Sequence, residues 1–325
     1  MKTESVVEIS VIAPCCNEEK CLPEFVRRVS AVLLKMKLSF EIILINDGSR
    51  DKTLEVSLSL IREIPQIKVL DFSRNFGHQA AVTAGLDMAQ GKAVVIIDAD
   101  LQDPPEVIEA MIEKWREGYD VVYGKRNRRD GEGFLKLLTA KLFYRTLRFL
   151  TNMDIPVDAG DFRLVDRKAV ECVKGMRERH RFVRGMVSWV GFKQIAVTYD
   201  RQARLQGKTN YSYSKMFRFA FDAITSFSTM PLRIVTVLGL MILMLTLVLV
   251  AVVLITRIFD PAYFIPGFSA LITLVLFFGG MTLFSIGLLG EYIGRIFEEV
   301  KQRPLYIVRE IYGANGRRDG EVVRS

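Results

Sequence analysis

The sequence has few of the residues that hold structural metal ions. Its 325 residues include two histidines and four cysteines, and no two cysteines form a Cys-x-x-Cys pair. Because structural zinc sites are built from such pairs together with histidine, this composition disfavours a zinc-binding protein. Three of the cysteines lie near the first predicted turn, and we expect all four to be reduced.

The glycine-rich motifs that bind phosphates through backbone N–H groups are also missing. No Gly-x-Gly-x-x-Gly follows the first predicted strand, and Gly-x-x-x-x-Gly-Lys-Ser/Thr occurs nowhere. The sequence therefore supports neither a dinucleotide-binding fingerprint nor a P-loop. A net charge of +8, with 45 lysines and arginines, instead indicates an anionic partner such as a membrane surface, a nucleotide or a nucleic acid.

The sequence does have a regular alternation of strand and helix patterns in its N-terminal part. Apolar runs typical of buried strands are followed by stretches of helical periodicity, which predicts an α/β fold with a mostly parallel sheet and helices on both faces. In such a sheet, ligands bind at the carboxyl ends of the strands. The predicted strands cover residues 9–14, 40–45, 67–70, 94–97 and 120–123.

Two carboxylates follow the fourth of these strands. A run of valine and isoleucine ends in Asp98-Ala-Asp100, which crowds negative charge where a ligand would bind. A divalent cation with oxygen ligands would offset this charge, and Mg²⁺ shared with substrate phosphates fits best, with Gln102 as a further neutral ligand. The same stretch also fits a helix start, with Asp103 as the cap and Pro104 at the first helical position.

Acidic residues occur at other strand ends as well. Asn17 and Glu18 follow the first strand, and Asp47 follows the second within Asn-Asp-Gly-Ser. For Asp47 two interpretations stay open, namely a turn residue and an acceptor of hydrogen bonds from a base or ribose. Further along, Asp161 lies in Asp-Ala-Gly-Asp-Phe-Arg, two residues before Arg163, and this second acidic loop is typical of a site.

Two segments combine basic residues with leucine and phenylalanine. The segments 134–150 and 212–230 fit amphipathic helices at a membrane interface, although ordinary helices with one solvated face have the same composition. Between them, residues 201–211 form a basic, glycine-containing loop. Basic side chains in such a loop are suited to binding phosphate.

Two long apolar runs predict transmembrane helices. Residues 234–255 and 268–290 contain no charged side chain, and about 20 apolar residues cross a bilayer as a helix. Because Lys and Arg flank the pair on both outer sides, we expect both flanks in the cytoplasm of a multi-pass plasma-membrane protein. The predicted regions are a cytoplasmic catalytic domain at 1–211, transmembrane helices at 231–256 and 268–290, and a cytoplasmic tail at 291–325.

Five motifs give the sequence a family resemblance. They read Val-Ile-Ala-Pro-Cys-Cys-Asn-Glu-Glu, Ile-Asn-Asp-Gly-Ser, Ser-Arg-Asn-Phe-Gly-His-Gln-Ala-Ala, Asp-Ala-Asp-Leu-Gln-Asp-Pro-Pro and Asp-Ala-Gly-Asp-Phe-Arg-Leu. Over roughly residues 6–310 the chain resembles family-2 glycosyltransferases that act on polyprenyl phosphate. The bacterial bactoprenol (undecaprenyl-phosphate) glucosyltransferases are the most similar branch, and dolichol-phosphate mannose synthase is a related one.

The resemblance implies a GT-A fold, Mg²⁺ or Mn²⁺, and inverting transfer of a sugar, with UDP-glucose as the expected donor, to polyprenyl phosphate by a homotetramer at the cytoplasmic face. It also implies a catalytic role for Asp161 and phosphate contacts by Arg204 and Lys208, with Arg163 as a further candidate cation. One departure is Asn210, where the family often has lysine, and Lys208 is the candidate replacement. The implied ligands of the uridine diphosphate are Pro14, Asn17, Glu18 and Asp47, and those of the metal and diphosphate are Asp98, Asp100 and Gln102.

Two other functions are alternatives to this one. A processive polysaccharide synthase carries Gln-x-x-Arg-Trp and usually more membrane spans, and this sequence lacks that motif. A membrane-anchored scaffold with an inactive transferase domain does not account for the intact Asp98, Asp100 and Asp161. The basic residues lie beside predicted membrane segments and not on a recognisable nucleic-acid motif, so no nucleic-acid partner is expected.

Overall fold

The computed structural model describes residues 7–127, 159–200, 230–259 and 267–313. These residues divide into two compact units. One unit contains a large sheet with its helices, and the other contains two long helices.

The sheet unit alternates strands and helices along most of its length. Its strands are β1 (Ile9–Cys15), β2 (Phe40–Asn46), β3 (Ile67–Phe72), β4 (Ala93–Ile96), β5 (Val121–Arg126), β6 (Ala159–Asp166), β7 (Gln194–Tyr199) and β8 (Val308–Tyr312). Its described helices are α1 (Leu22–Lys35), α2 (Thr53–Glu63), α3 (His78–Met88), α4 (Val107–Arg116), α5 (Arg167–Gly175) and α6 (Val183–Trp189).

The strands form one eight-stranded sheet in the order β7-β5-β6-β4-β1-β2-β3-β8. Strands β4, β1, β2 and β3 are parallel neighbours, and β5 is parallel to β7. Strand β6 runs antiparallel between β4 and β5, and β8 runs antiparallel along β3. The prediction of a mostly parallel α/β sheet is therefore confirmed.

The core explains why the strands read as continuous apolar runs. All seven residues of β2 are buried, because helices cover both faces of the sheet. Helix α3 lies very close to β1, since a Cβ atom on Gly85 would be 2.9 Å from the Cβ of Ile12. This close packing fixes the N-terminus of α3, and with it His78, at the carboxyl edge of the sheet.

The start of α4 differs from its prediction. The helix begins at Val107 with Glu106 at the N-cap position and no side-chain cap, so the prediction that Asp103 caps it is wrong. The two prolines that follow Asp103 hold the chain outside the helix for longer, because a residue before proline is biased away from helical geometry. Asp103 instead accepts a 2.6 Å hydrogen bond from the hydroxyl of Tyr199.

The helical unit contains α7 (Met230–Phe259) and α8 (Phe268–Val300). The predicted spans at 231–256 and 268–290 lie within these helices. By length and composition, one stretch of the described residues, Phe277–Val300, is apolar enough to cross a membrane. Helix α8 continues ten residues past 290, where Arg295 pairs with Glu291 at helical spacing.

The C-terminal segment adds a strand to the sheet unit. Residues assigned to a tail at 291–325 include β8, which pairs with β3 and forms one edge of the sheet. Ahead of β8, the fully buried ring of Tyr306 stacks on Phe72 at 5.3 Å, and its hydroxyl donates to Asp87 at 2.7 Å. From Arg303 onward, the described part of this tail is thus folded into the unit whose predicted boundary was residue 211.

Several predictions concern segments outside the described residues. They are the interfacial helix at 134–150, the juxtamembrane helix at 212–230 apart from Met230, and the phosphate-binding candidates Arg204 and Lys208.

Candidate active site

The site is built where β4 and β6 meet at the carboxyl edge of the parallel strands. Asp98 follows β4 by two residues and is half-buried. Strand β6 is antiparallel to β4, with Arg163 opposite Ile96, so Asp161 near the start of β6 lies beside the end of β4. The topology thereby brings together two acidic residues that are 63 positions apart in the sequence.

His78 connects these two carboxylates. Its Nε2 lies 3.2 Å from Oδ2 of Asp161, and its Nδ1 lies 3.7 Å from Oδ1 of Asp98. The imidazole is the first side chain of α3, and the packing of α3 against β1 holds it in this position.

Arg184 occupies the other oxygen of Asp161. Its Nε and Nη2 donate to Oδ1 at 3.3 and 3.1 Å. Arg184 belongs to α6, whose first backbone N–H, that of Val183, donates to Oε1 of Gln79 at 2.9 Å. The adjacent residues His78 and Gln79 therefore hold the side chain of Asp161 and the start of α6 together.

The charges of this cluster alternate. Burial opposes ionisation of Asp161, but the hydrogen bond from His78 and the positive charges of Arg184 and Arg163 hold the pKa of Asp161 well below its usual range. Burial also opposes the charge on His78, while its bond to Asp161 and the charge of Asp98 raise the pKa of the imidazole. Asp161 is thus a stable anion and a poor acceptor of protons.

Asp98 has the opposite character. Burial raises the pKa of Asp98 to about 6, and the carboxylates of Asp161 and Asp100 add to this effect while His78 opposes it. Among the described residues, no group of three or more His, Cys, Asp and Glu side chains is arranged to hold a metal ion. A carboxylate with this excess of negative charge fits a divalent cation that takes its remaining ligands from substrate phosphates and water.

The other predicted metal ligands lie directly after Asp98. Asp100 Oδ1 accepts a hydrogen bond from the backbone N–H of Gln102 at 3.0 Å, and Gln102 is buried. Between them, Leu101 has a φ of 60°, a left-handed conformation that is uncommon for a non-glycine residue. Strain of this kind is more frequent at functional sites than elsewhere.

Asp47 holds a loop of the site. Its buried carboxylate accepts hydrogen bonds from the backbone N–H groups of Phe76 at 2.7 Å and of Gly77 at 3.0 Å. Gly77 has a φ of 97° and immediately precedes His78, so this loop sets the approach to α3. These bonds show a structural use of Asp47. A contact with the nucleotide stays a prediction.

The predicted nucleotide-binding residues after β1 lie at the same edge of the sheet. Pro14 belongs to β1, and Asn17, with a φ of 61°, accepts a 2.9 Å bond from the N–H of Arg50. The N–H of Glu18 donates to Thr53 Oγ1 at 2.8 Å. The loops after β1 and β2 are therefore tied together.

Arg163, predicted to contact the acceptor, is buried under the site. It is 3 % exposed, and its Nη2 donates to the carbonyl of Gly160 at 3.0 Å. The residues that sequence analysis left without a role are His78, Gln79 and Arg184. The first two lie within the motif Phe-Gly-His-Gln, whereas Arg184 had no local signal because its partner is 23 residues away.

Comparisons with known proteins cover nearly the whole chain. Residues 10–174 match the family model "Glycosyl transferase family 2", and residues 230–296 match "GtrB C-terminal hairpin". An uncharacterized glycosyltransferase, YkcC of Bacillus subtilis, is 47 % identical over 96 % of this chain and 96 % of its own length. A prophage bactoprenol glucosyl transferase homolog of Escherichia coli is 42 % identical over 94 % of this chain and 99 % of its own.

A third relative is the bactoprenol glucosyl transferase of Shigella phage SfII, which is 41 % identical over 95 % of this chain and 100 % of its own length. Among solved structures, residues 1–349 of Staphylococcus aureus TarS in complex with UDP-GlcNAc are 17 % identical, with a TM-score of 0.47 over 68 % of this chain and 66 % of that one. The family models and the curated relatives together show that the chain is a glycosyltransferase and belongs to glycosyltransferase family 2.

Proposed function

We propose that the protein transfers glucose from UDP-glucose to polyprenyl phosphate, with undecaprenyl phosphate as the expected acceptor, at the cytoplasmic face of the membrane. Four of the curated relatives are named bactoprenol glucosyl transferases, and they align with 93–95 % of this chain. The carrying observation is the cluster of Asp98, His78, Asp161 and Arg184 at the carboxyl edge of the sheet.

The chemistry of the acceptor fits this cluster. A phosphate monoester has a second pKa near 6 and is mostly a dianion at pH 7, so it is already a nucleophile. In the inverting reaction one of its oxygens bonds to the anomeric carbon while the bond from that carbon to UDP breaks and UDP leaves. Because this step needs no base, Asp161 positions its partners, consistent with its lowered pKa.

A divalent cation is part of the proposal. Asp98 and Asp100, with Gln102, would hold Mg²⁺ or Mn²⁺ against the donor. The cation would neutralise charge that develops on the departing diphosphate. The raised pKa of Asp98 supports this assignment, because an acidic side chain with excess negative charge around it is stabilised by a cation.

The membrane arrangement is also part of the proposal. Helices α7 and α8 would both span the bilayer, in which the polyprenyl chain of the acceptor is also embedded. Many of their apolar side chains are exposed, including Leu240, Leu245, Leu271 and Leu283, which a surrounding bilayer would cover. The homotetramer implied by the resemblance stays a prediction. Light scattering of the detergent-solubilised protein gives the molar mass that tests it.

The test is sugar transfer by the full-length protein in detergent or liposomes. Radiolabelled UDP-glucose and undecaprenyl phosphate should give a labelled lipid and UDP in equal amounts, and excess chelator should stop the reaction. Long labelled polymers would indicate a processive synthase, and a lack of turnover with every UDP-sugar and lipid phosphate would indicate a scaffold. A screen of other UDP-sugars identifies the donor.

A further inference from the structure

We propose that Arg184 binds the phosphate group of the acceptor and that Asp161 is the positioning residue that holds this arginine in place. This inference rests on the proposed function, because it takes the acceptor to be a phosphate monoester. It assigns to Arg184 a ligand that no sequence motif indicated, and it gives Asp161 a role other than that of a base.

The geometry leaves one side of Arg184 for a ligand. Nε and Nη2 both face Oδ1 of Asp161, so the bond to the carboxylate uses one edge of the guanidinium. Because the guanidinium is planar, one N–H group of Nη1 and the second one of Nη2 point away from that edge. They form the planar fork that matches two oxygens of a phosphate. The side chain is 18 % exposed, which shelters this fork from solvent without closing it.

The arginine is held at both its head and its backbone. Asp161 lies on the interior strand β6, and His78 occupies its second oxygen, so the carboxylate is held from two sides. The bond from Val183 to Gln79 fixes the backbone next to Arg184. Such a preorganised fork loses little side-chain entropy when a ligand binds.

Neighbouring cations are used for other contacts. Arg163 is buried and donates to Gly160, and Arg126 contacts Asp103 at 3.5 Å. Arg181 donates to the carbonyl of Met176. Arg184 combines partial exposure with direct contact to a predicted site carboxylate, which these three do not.

The order of charges separates the two substrates. Asp98, His78, Asp161 and Arg184 follow one another at 3.7, 3.2 and 3.1 Å. Asp98, with its excess negative charge, fits the cation and diphosphate of the donor. A phosphate dianion would be repelled by these carboxylates, so it binds on the Arg184 side, across Asp161 from the donor.

The test compares steady-state kinetics of Arg184→Gln, Arg184→Lys and the wild type in the full-length protein. Loss of a two-pronged, charge-assisted contact should raise the KM for undecaprenyl phosphate in Arg184→Gln by about 10–100-fold. The KM for UDP-glucose should stay within about twofold. Lysine keeps the charge without the fork, so the acceptor KM of Arg184→Lys should lie between those of the wild type and Arg184→Gln. The matched control is Arg177→Gln, an exposed arginine paired with Asp87, which should match the wild type.

A second readout tests the positioning role. Asp161→Asn should also raise the acceptor KM selectively, and the double variant with Arg184→Gln should be no worse than Arg184→Gln alone, because both changes remove one arrangement. An unchanged acceptor KM in folded Arg184→Gln, or equal rises in both KM values, would overturn the inference. If Arg184→Gln does not fold, the acceptor KM of Arg184→Lys decides.

The two proposals can fail separately. If the wild type makes no labelled lipid, the proposed function fails, and the kinetic series has no signal. If the wild type makes labelled lipid but the variants show no selective change in acceptor KM, only the role of Arg184 fails.

Discussion

Three parallel strands have an aspartate at or just after their carboxyl ends, and the three carboxylates have different partners. Asp47, after β2, accepts two backbone N–H groups. Asp71, in β3, accepts from the side chain of Asn46 at 2.7 Å and pairs with Arg309 at 3.3 Å. Asp98, after β4, has His78 at 3.7 Å as the partner that the structure shows.

This difference separates structural acids from ligand-binding ones. Backbone amides and an amide side chain satisfy a buried carboxylate within the protein itself. Asp98 lacks such neighbours among the described residues, and its raised pKa reflects burial and nearby negative charge. An aspartate at a strand end is therefore a site candidate when the fold leaves its charge for a ligand.

The largest expected effect is that of Asp98→Asn. If Asp98 holds the cation, the variant should lose about 10³-fold or more in kcat. Its melting temperature without metal should stay the same or rise, because the change removes a charge that the folded state disfavours. The increase in melting temperature that Mn²⁺ or Mg²⁺ gives the wild type should disappear. The control is Glu63→Gln at the exposed end of α2, which should keep the wild-type kcat and the metal-induced increase in melting temperature. If Asp98→Asn also kept that increase, the assignment of Asp98 as a metal ligand would be contradicted.

The second expected effect belongs to Asp47. In Asp47→Ala the N–H groups of Phe76 and Gly77 lose their acceptor. Hydrogen bonds to a charged group contribute about 1.5–3 kcal/mol each, and the effects of losing two neighbouring bonds are not fully additive. We therefore expect the free energy of unfolding to fall by about 2–4 kcal/mol. Thermal unfolding should show a melting temperature lower by about 5–15 °C, with the metal-induced increase retained. An unchanged melting temperature would show that these bonds contribute little.

The pH dependence of metal binding is a third way to test the comparison. The pKa of Asp98 is raised to about 6 in the folded protein, against about 4 in an unfolded chain. In the metal-free protein, ionised Asp98 therefore lowers the free energy of unfolding, and this penalty is fully present above about pH 6. The penalty disappears as pH falls from about 6 towards about 4, because the folded protein then binds the proton first.

Protons and metal ions compete for the same carboxylate. The metal affinity should be highest above pH 7 and should fall by about tenfold per pH unit below 6. Thermal-shift titrations with Mn²⁺ at pH 5, 6 and 7.5 measure this, with Asp98→Asn as the reference for every other titrating group. Equal affinity at all three pH values would contradict it.

The parts of the fold that depend on residues close together in the sequence could be predicted. Apolar runs and the turns after them predicted β1 to β5, and the rule that ligands bind at carboxyl ends selected Asp98 and Asp100. The antiparallel pairings could not be predicted, because they join residues far apart in the sequence: Val69 pairs with Tyr312, and Ala93 with Asp166.

The candidate site divides in the same way. Asp161 was predicted as a site residue from a motif. Its contact with Arg184 depends on how α6 packs, which no local sequence pattern encodes. The different partners of Asp47 and Asp98 were equally hidden, since both residues follow a buried strand and read alike in the sequence.

The smallest expected effect is that of Arg309→Gln, which tests the third strand end. Arg309 comes from β8 and is 58 % exposed on its side chain, whereas Asp71 is 3 % exposed. Exposed partners contribute little because solvent screens them, and Asp71 keeps the bond from Asn46. We therefore expect a loss of at most about 1 kcal/mol in the free energy of unfolding, with kcat and the metal effect unchanged. Asn46→Ala removes the buried partner instead and should cost more, about 1–3 kcal/mol. Denaturant unfolding of both variants measures their free energies of unfolding. A larger loss in Arg309→Gln than in Asn46→Ala would mean that the ion pair with β8 is the main stabilising partner of the Asp71 carboxylate.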